Sequence, residues 1–205
     1  MTDLAGRITI ELNGKAGSPL VHIRSSRPVS ASRVFVGKGI AETASALPAL
    51  FSVCANAQAS ACASACEAAL AREAAADVAA LRNLLVSAET VKEHLWRMLL
   101  DWPQFLGGTP DARAMARVMS AFTRLRGAAT RGGNPFRPGT AAVEPEQGAL
   151  ETCLDDLAAV TTDQVLGMEP TEWLSRCASA DGLLSWAREA RTPAAALLRE
   201  IDAQS

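Results

Sequence analysis

Apolar and polar positions alternate at the start of the chain, where Ile8, Ile10 and Leu12 are separated by Thr9 and Glu11, and Leu20, Val21 and Ile23 follow a segment containing Gly14 and Gly17. A period of two gives each strand one apolar face, so an antiparallel hairpin is predicted over residues 6–25, with a further short strand over 33–36. From Ile40 the period lengthens to that of a helix. Pro48 falls where it distorts that helix or occupies its terminal turn, which delivers Cys54 at a bend. An alanine-rich helix is expected over 56–76 and a second over 77–101. The second carries Leu81, Leu84, Leu85, Ala88, Val91, Leu95, Met98 and Leu99 at helical spacing, and Arg82, Glu89, Lys92, Glu93 and Arg97 on its other face. Glu93 and Arg97 stand in the favourable acid-first order, which contributes only about 0.2–0.5 kcal/mol, so burial is expected to fix this helix.

Trp102-Pro103 is expected to end that helix. Thr109 then serves as N-cap and Pro110 as first helical residue of a helix over 110–126. Residues 127–143 hold Gly132, Gly133, Pro135, Pro138 and Gly139 together with Arg131 and Arg137, just after Arg126, and read as a mobile loop. Short helices are predicted over 146–160, 162–166, 170–180, 182–191 and 193–203. The fold class is therefore α+β and predominantly helical, with a small amino-terminal sheet packed on a helical bundle. The organisation expected is a region 1–126, the loop 127–143, and a helical region 144–205 packed on the first as one domain.

Composition narrows the function classes. At 205 residues and 49% hydrophobic content the chain can build a sizeable core, but aromatics are only 4% and tyrosine is absent, so the packing must rely on small aliphatic side chains. A formal net charge of −2 gives no footprint for nucleic acid. No apolar run reaches the roughly 20 residues that span a bilayer, and Met1-Thr2-Asp3-Leu4-Ala5 lacks the look of a secretory signal. Residence in the cytoplasm is the expectation. The cysteines at 54, 62, 66, 153 and 177 form no CxxC pair, so reduced thiols are expected rather than a disulfide framework.

The segment Leu50-Phe51-Ser52-Val53-Cys54-Ala55-Asn56-Ala57-Gln58 resembles the Cys-Gly-x-Cys-x-x-x-His motif of nickel–iron hydrogenase large subunits with most of its ligands removed. Cys54 takes the bridging cysteine position, Phe51 the position of a terminal nickel ligand, and Gln58 that of the histidine. Gly14-Lys15-Ala16-Gly17-Ser18 aligns with the amino-terminal Arg-Ile-Glu-Gly-His signature, placing Ala16 where hydrogenases carry a proton-transferring carboxylate. The hairpin over 8–13, the turn over 33–38 and the helical stretch Leu81 to Leu95 extend the likeness through the first half of the chain. Nothing after Ser205 supplies the Asp-Pro-Cys-x-x-Cys motif, and a shortened version of the family's chain is one reading of this. The combination is similar to the HupK/HoxV family of hydrogenase-maturation proteins.

What the resemblance implies is a non-catalytic scaffold that transiently carries the iron–dicyano–carbonyl unit, Fe(CN)2CO, with no nickel. Its fold would be that of the hydrogenase large-subunit amino-terminal half. HypC-like and HypD-like maturation proteins would be donors and the hydrogenase large subunit the acceptor. Cys54 is the candidate metal ligand, since a soft thiolate suits such iron and a helix entrance favours the thiolate. Gln58, one turn on, either donates to a cyanide nitrogen or caps the first helical turn. Arg24 and Arg27 are candidate cyanide donors or surface charges. Cys62 and Cys66 read as packing residues and Cys153 and Cys177 as structural. His94 reads as a structural hydrogen-bonder, and His22 carries no signal. The rival reading is a metal-free docking mimic of the large subunit that binds maturation proteins. A working hydrogenase is the least favoured, because Phe51 and the missing carboxy-terminal cysteines remove three ligands.

Overall fold

The computed structural model describes residues 6–12, 21–27 and 31–204. The Gly14–Ser18 match therefore lies outside the described residues. The chain divides into two compact units, 1–43 and 44–205.

In the first unit β1 (Ile8–Leu12) pairs antiparallel with β2 (Val21–Ser25). The register sets Ile10 opposite Ile23 and Leu12 opposite Val21, so the alternating apolar residues share one face, with Thr9, Glu11, His22 and Arg24 on the other. The segment expected as a third strand is instead a 3₁₀ turn, Ala31–Phe35, closed by Val36 N–H donating to Arg33 O at 3.1 Å. Val34 and Val36 are 55% and 81% exposed, and the two-stranded sheet of the described residues contains only β1 and β2.

The unit boundary falls within α1 (Ile40–Leu50), which contains Pro48 in its last turn. A short 3₁₀ turn, Ser52–Cys54, leads into α2 (Ala55–Ala69), and the chain bends by 103° on the way. α2 stops well before residue 76. Its end is a Schellman motif, with Arg72 N–H donating to Glu67 O at 2.9 Å and Ala71 N–H to Ala68 O at 3.0 Å. The left-handed residue such a motif requires is Ala71, at φ 50°.

α3 (Ala76–Trp96) runs back along α2. Trp102-Pro103 does not end the helical path as expected. A π turn, Arg97–Asp101, carries it on into α4 (Trp102–Phe105), with Trp102 N–H donating to Arg97 O. The wider turn keeps the proline ring off the carbonyl it would strike in a regular helix. The next helix, α5 (Ala112–Thr130), is capped not by Thr109 but by Asp111, whose carboxylate accepts from Ala114 N–H at 2.8 Å. α6 (Gln147–Thr161) packs along α5, and a π turn, Thr162–Leu166, follows it. α7 (Pro170–Arg176), α8 (Ala180–Glu189) and α9 (Pro193–Gln204) complete the unit close to their expected positions.

The core is built on α3, α5 and α6, with Leu85, Val118, Leu125 and Val160 fully enclosed and Trp186 of α8 sealing it. Trp186 meets Trp173 edge to face at 5.5 Å and donates to Leu166 O at 2.8 Å. The solvent face expected for α3 needs correction. Arg82 and Glu89 are only 3% and 5% exposed, because α2 covers that side. Arg97 pairs with Asp101 and Glu93 with Lys92, in place of the expected Glu93–Arg97 pair. Between α5 and α6, the loop of residues 131–146 is anchored by buried Pro135, Phe136 and Val143.

Candidate functional site

α2 buries only two apolar side chains, Ala59 and Ala63, so hydrophobic contact alone holds it weakly. Two acids and an arginine do the rest. Near its carboxy-terminal end, buried Glu67 receives both guanidinium arms of Arg82 at 2.7 and 2.8 Å. Arg82 Nε also donates to Pro135 O at 2.7 Å, and Gly139 N–H donates to Glu67 Oε1 at 3.0 Å. Hydrogen bonding from Arg82 holds the Glu67 carboxyl below the usual carboxylate range despite its burial, and the Gly139 amide adds to this.

At the other end of α2, the Glu89 carboxylate reaches across from α3. It accepts from Asn56 N–H at 2.9 Å and Ala57 N–H at 3.1 Å, while Asn56 Nδ2 donates to Leu85 O at 3.2 Å. These two amides are the ones an N-cap side chain ordinarily serves. Cys54 occupies the N-cap position and makes no such bond. The Asn56 and Ala57 amides at this helix entrance are thus held by Glu89 rather than by the Cys54 side chain.

Cys54 Sγ is half-buried, and the Gln58 carboxamide Nε2 lies 3.7 Å from it, in hydrogen-bonding contact with sulfur. Gln58 is therefore turned toward the thiol rather than toward the helix-terminal amides. A cavity of about 380 Å³ begins at the residue after Cys54; Pro48, Ala55, Asn56, Leu85, Phe136 and Arg126 are among its walls. Among the described residues, no group of three His, Cys, Asp or Glu side chains is placed to hold a metal.

The other candidates are placed differently. Arg24 and Arg27 belong to the amino-terminal unit; Arg24 is paired with Glu11 across the hairpin, and Arg27 N–H donates to Ser25 Oγ at 3.3 Å. Cys62 and Cys66 are half-buried on α2, and burial, with Cys66 adding to it, pushes the Cys62 thiol up. Cys153 lies in the core and Cys177 packs against it, its thiol raised by burial. His94 is exposed, without the side-chain hydrogen bond expected of it, among the described residues. Glu89 is the residue that sequence reasoning missed. Its only signal is a place on α3 one turn beyond Leu85, indistinguishable from a solvated acid until α2 is laid against it.

The chain is 31% identical over 173 residues to the hydrogenase expression/formation protein HupK of Azotobacter vinelandii, and 30% identical over 173 residues to HupV, of the same description, from Azotobacter chroococcum. Each match takes in 83% of this chain and 48% of the relative, so the chain spans about half the length of these two curated relatives. The hydrogenase expression/formation protein HoxV of Cupriavidus necator is 33% identical over 107 residues, 52% of this chain and 26% of that protein. No family model and no solved structure matches. The relatives bear the names of the family the residues around Cys54 resemble, and across most of its length this chain is similar to proteins of hydrogenase expression and formation.

Proposed function

We propose that this protein serves hydrogenase maturation as a non-catalytic scaffold that transiently carries the Fe(CN)2CO unit on Cys54, as a degenerate relative of the hydrogenase large subunit. The observation that carries the reading is the division of labour at the start of α2. Glu89 takes the capping role, so the sulfur of the N-cap residue makes no capping bond and lies within reach of the Gln58 carboxamide. A lone thiolate is a soft ligand that suits low-spin iron and leaves a cargo able to depart. Gln58 supplies an amide donor for a cyanide nitrogen without a titrating proton. Arg24 and Arg27 are the further donors the resemblance suggests, and Arg24 would first have to leave Glu11. HypC-like and HypD-like proteins are the proposed donors, the hydrogenase large subunit the acceptor, and the cytoplasm the compartment. Nickel has no role in this reading.

Infrared spectroscopy in the cyanide and carbonyl stretching region tests it, on protein purified without oxygen from a host carrying its maturation machinery. Wild type is expected to show bands that Cys54→Ser lacks. Absence of bands from both, with maturation proteins still co-purifying, would overturn the carrier and leave the metal-free docking mimic.

A further inference from the structure

A second concavity, of about 480 Å³, lies between the α2–α3 connection and the α5–α6 loop, and its walls include Arg72, Asn134, Arg137, Gly139 and Thr140. No acidic side chain lines it. Elsewhere on the described surface Arg97, Arg124, Arg131, Arg176 and Arg188 are each paired with a carboxylate. Arg72 and Arg137 have no acidic partner among the described residues. Asn134 uses its Oδ1 to accept Phe136 N–H at 2.9 Å, which fixes the carboxamide and leaves Nδ2 as a donor.

The two arginines stand 65 positions apart in sequence, and one residue ties both of their segments down. The Glu67 backbone carbonyl holds Arg72 N–H at 2.9 Å, while the Glu67 side chain holds Gly139 N–H at 3.0 Å. Gly139 has φ 76°, and a Cβ built there would lie 3.5 Å from Arg72 Nη1, so the guanidinium rests on the loop itself. Buried Arg82 fixes the loop a second time through Pro135 O. Two like charges are thus held beside one cleft by a buried frame, and an anion entering it requires no rearrangement of that frame. Guanidinium forks match phosphate oxygens, and a phosphate carries close to the two negative charges that would balance both arginines.

We propose that this cleft binds a small phosphate-bearing molecule, its phosphate held between Arg72 and Arg137 with Asn134 as a third donor. Calorimetric titration of the whole chain with inorganic phosphate and with pyrophosphate, at low ionic strength, tests it. Saturable binding is expected in wild type, weakened about tenfold or more in Arg72→Gln and in Arg137→Gln, the loss of a charge-assisted hydrogen bond, and unchanged in Arg126→Gln, which belongs to the other cavity. Both substituted side chains are exposed, and thermal melts matching wild type would show that folding is intact. No saturable binding in wild type, or equal weakening in all three variants, would overturn the site. Acetate binding as tightly as phosphate would overturn the ligand class. None of these outcomes bears on Cys54.

Discussion

Replacing Arg82 by methionine removes the cation from the most enclosed charge pair of the described residues and leaves a shorter, unbranched apolar side chain in its place. Three hydrogen bonds disappear, two to Glu67 and one to Pro135 O, and Glu67 is left as a buried carboxylate whose remaining partner is Gly139 N–H. Summing the bonds would overstate the loss, because they form one network. Removal of one partner from a buried pair sets the scale at about 3–5 kcal/mol.

The pH dependence separates this mechanism from simple loss of packing. In wild type the folded Glu67 carboxyl sits below its unfolded value, so its contribution is complete above the unfolded carboxylate range and is lost as pH falls through the folded value. In Arg82→Met the same carboxyl is buried without its cation, its folded value moves above the unfolded one, and acid relieves the penalty. The stability gap should be widest near neutrality and narrow toward about pH 4. Urea unfolding of both proteins at the two pH values measures it. A gap below about 1 kcal/mol at neutral pH, or one of equal size at both, would refute the assignment of Glu67 and Arg82 as a stabilising clamp.

Glu89→Ala should destabilise by about 1–2 kcal/mol by uncapping α2, and alkylation of Cys54 by iodoacetamide should accelerate as the freed amides turn to its thiolate; an unchanged rate, followed by peptide mass spectrometry, would disconnect Glu89 from the thiol. Ala71→Gly should raise stability by about 0.5–1 kcal/mol in thermal melts, since the left-handed φ of 50° costs alanine and not glycine; a lower melting temperature would refute this. Cys62, its thiol pushed up by burial and by Cys66, should alkylate slowly near neutrality and speed up only above the ordinary thiol range, and a fast neutral reaction would contradict that environment.

Punctuation decided how much of the fold was legible. The hairpin register follows from strict alternation of Ile8, Ile10 and Leu12, and α7 and α9 follow from Gly167 and from prolines at their first positions. The end of α2 was illegible because Ala71 adopts the conformation glycine usually marks. The same Schellman geometry at the end of α4 uses Gly107, at φ 68°, the residue type that ordinarily takes this position. Pro103 misled in the opposite sense, because a π turn let the helical path accommodate it. Of the candidate site, Cys54 at a bend and Gln58 one turn on were legible from local spacing. Glu89 was not, since its partners lie 32 and 33 residues away and amphipathic patterning records only that α3 has two faces.

The scarcity of aromatic residues explains why those long-range ties carry so much of the architecture. A helix that buries little beyond alanine presents a nearly smooth surface, and neighbouring registers along it differ by little apolar area. Charged and amide contacts are directional and break the degeneracy. Glu89 at the first turn of α2 and Arg82 against Glu67 near its last turn fix α2 on α3 at two points, and a slide by one residue would strand both. The clamp at the first turn positions Cys54, and the clamp at the last turn positions the segment bearing Arg72. Arg82→Met should therefore loosen the phosphate cleft while Glu89→Ala leaves it intact, and the Cys54 surroundings should respond in the reverse order.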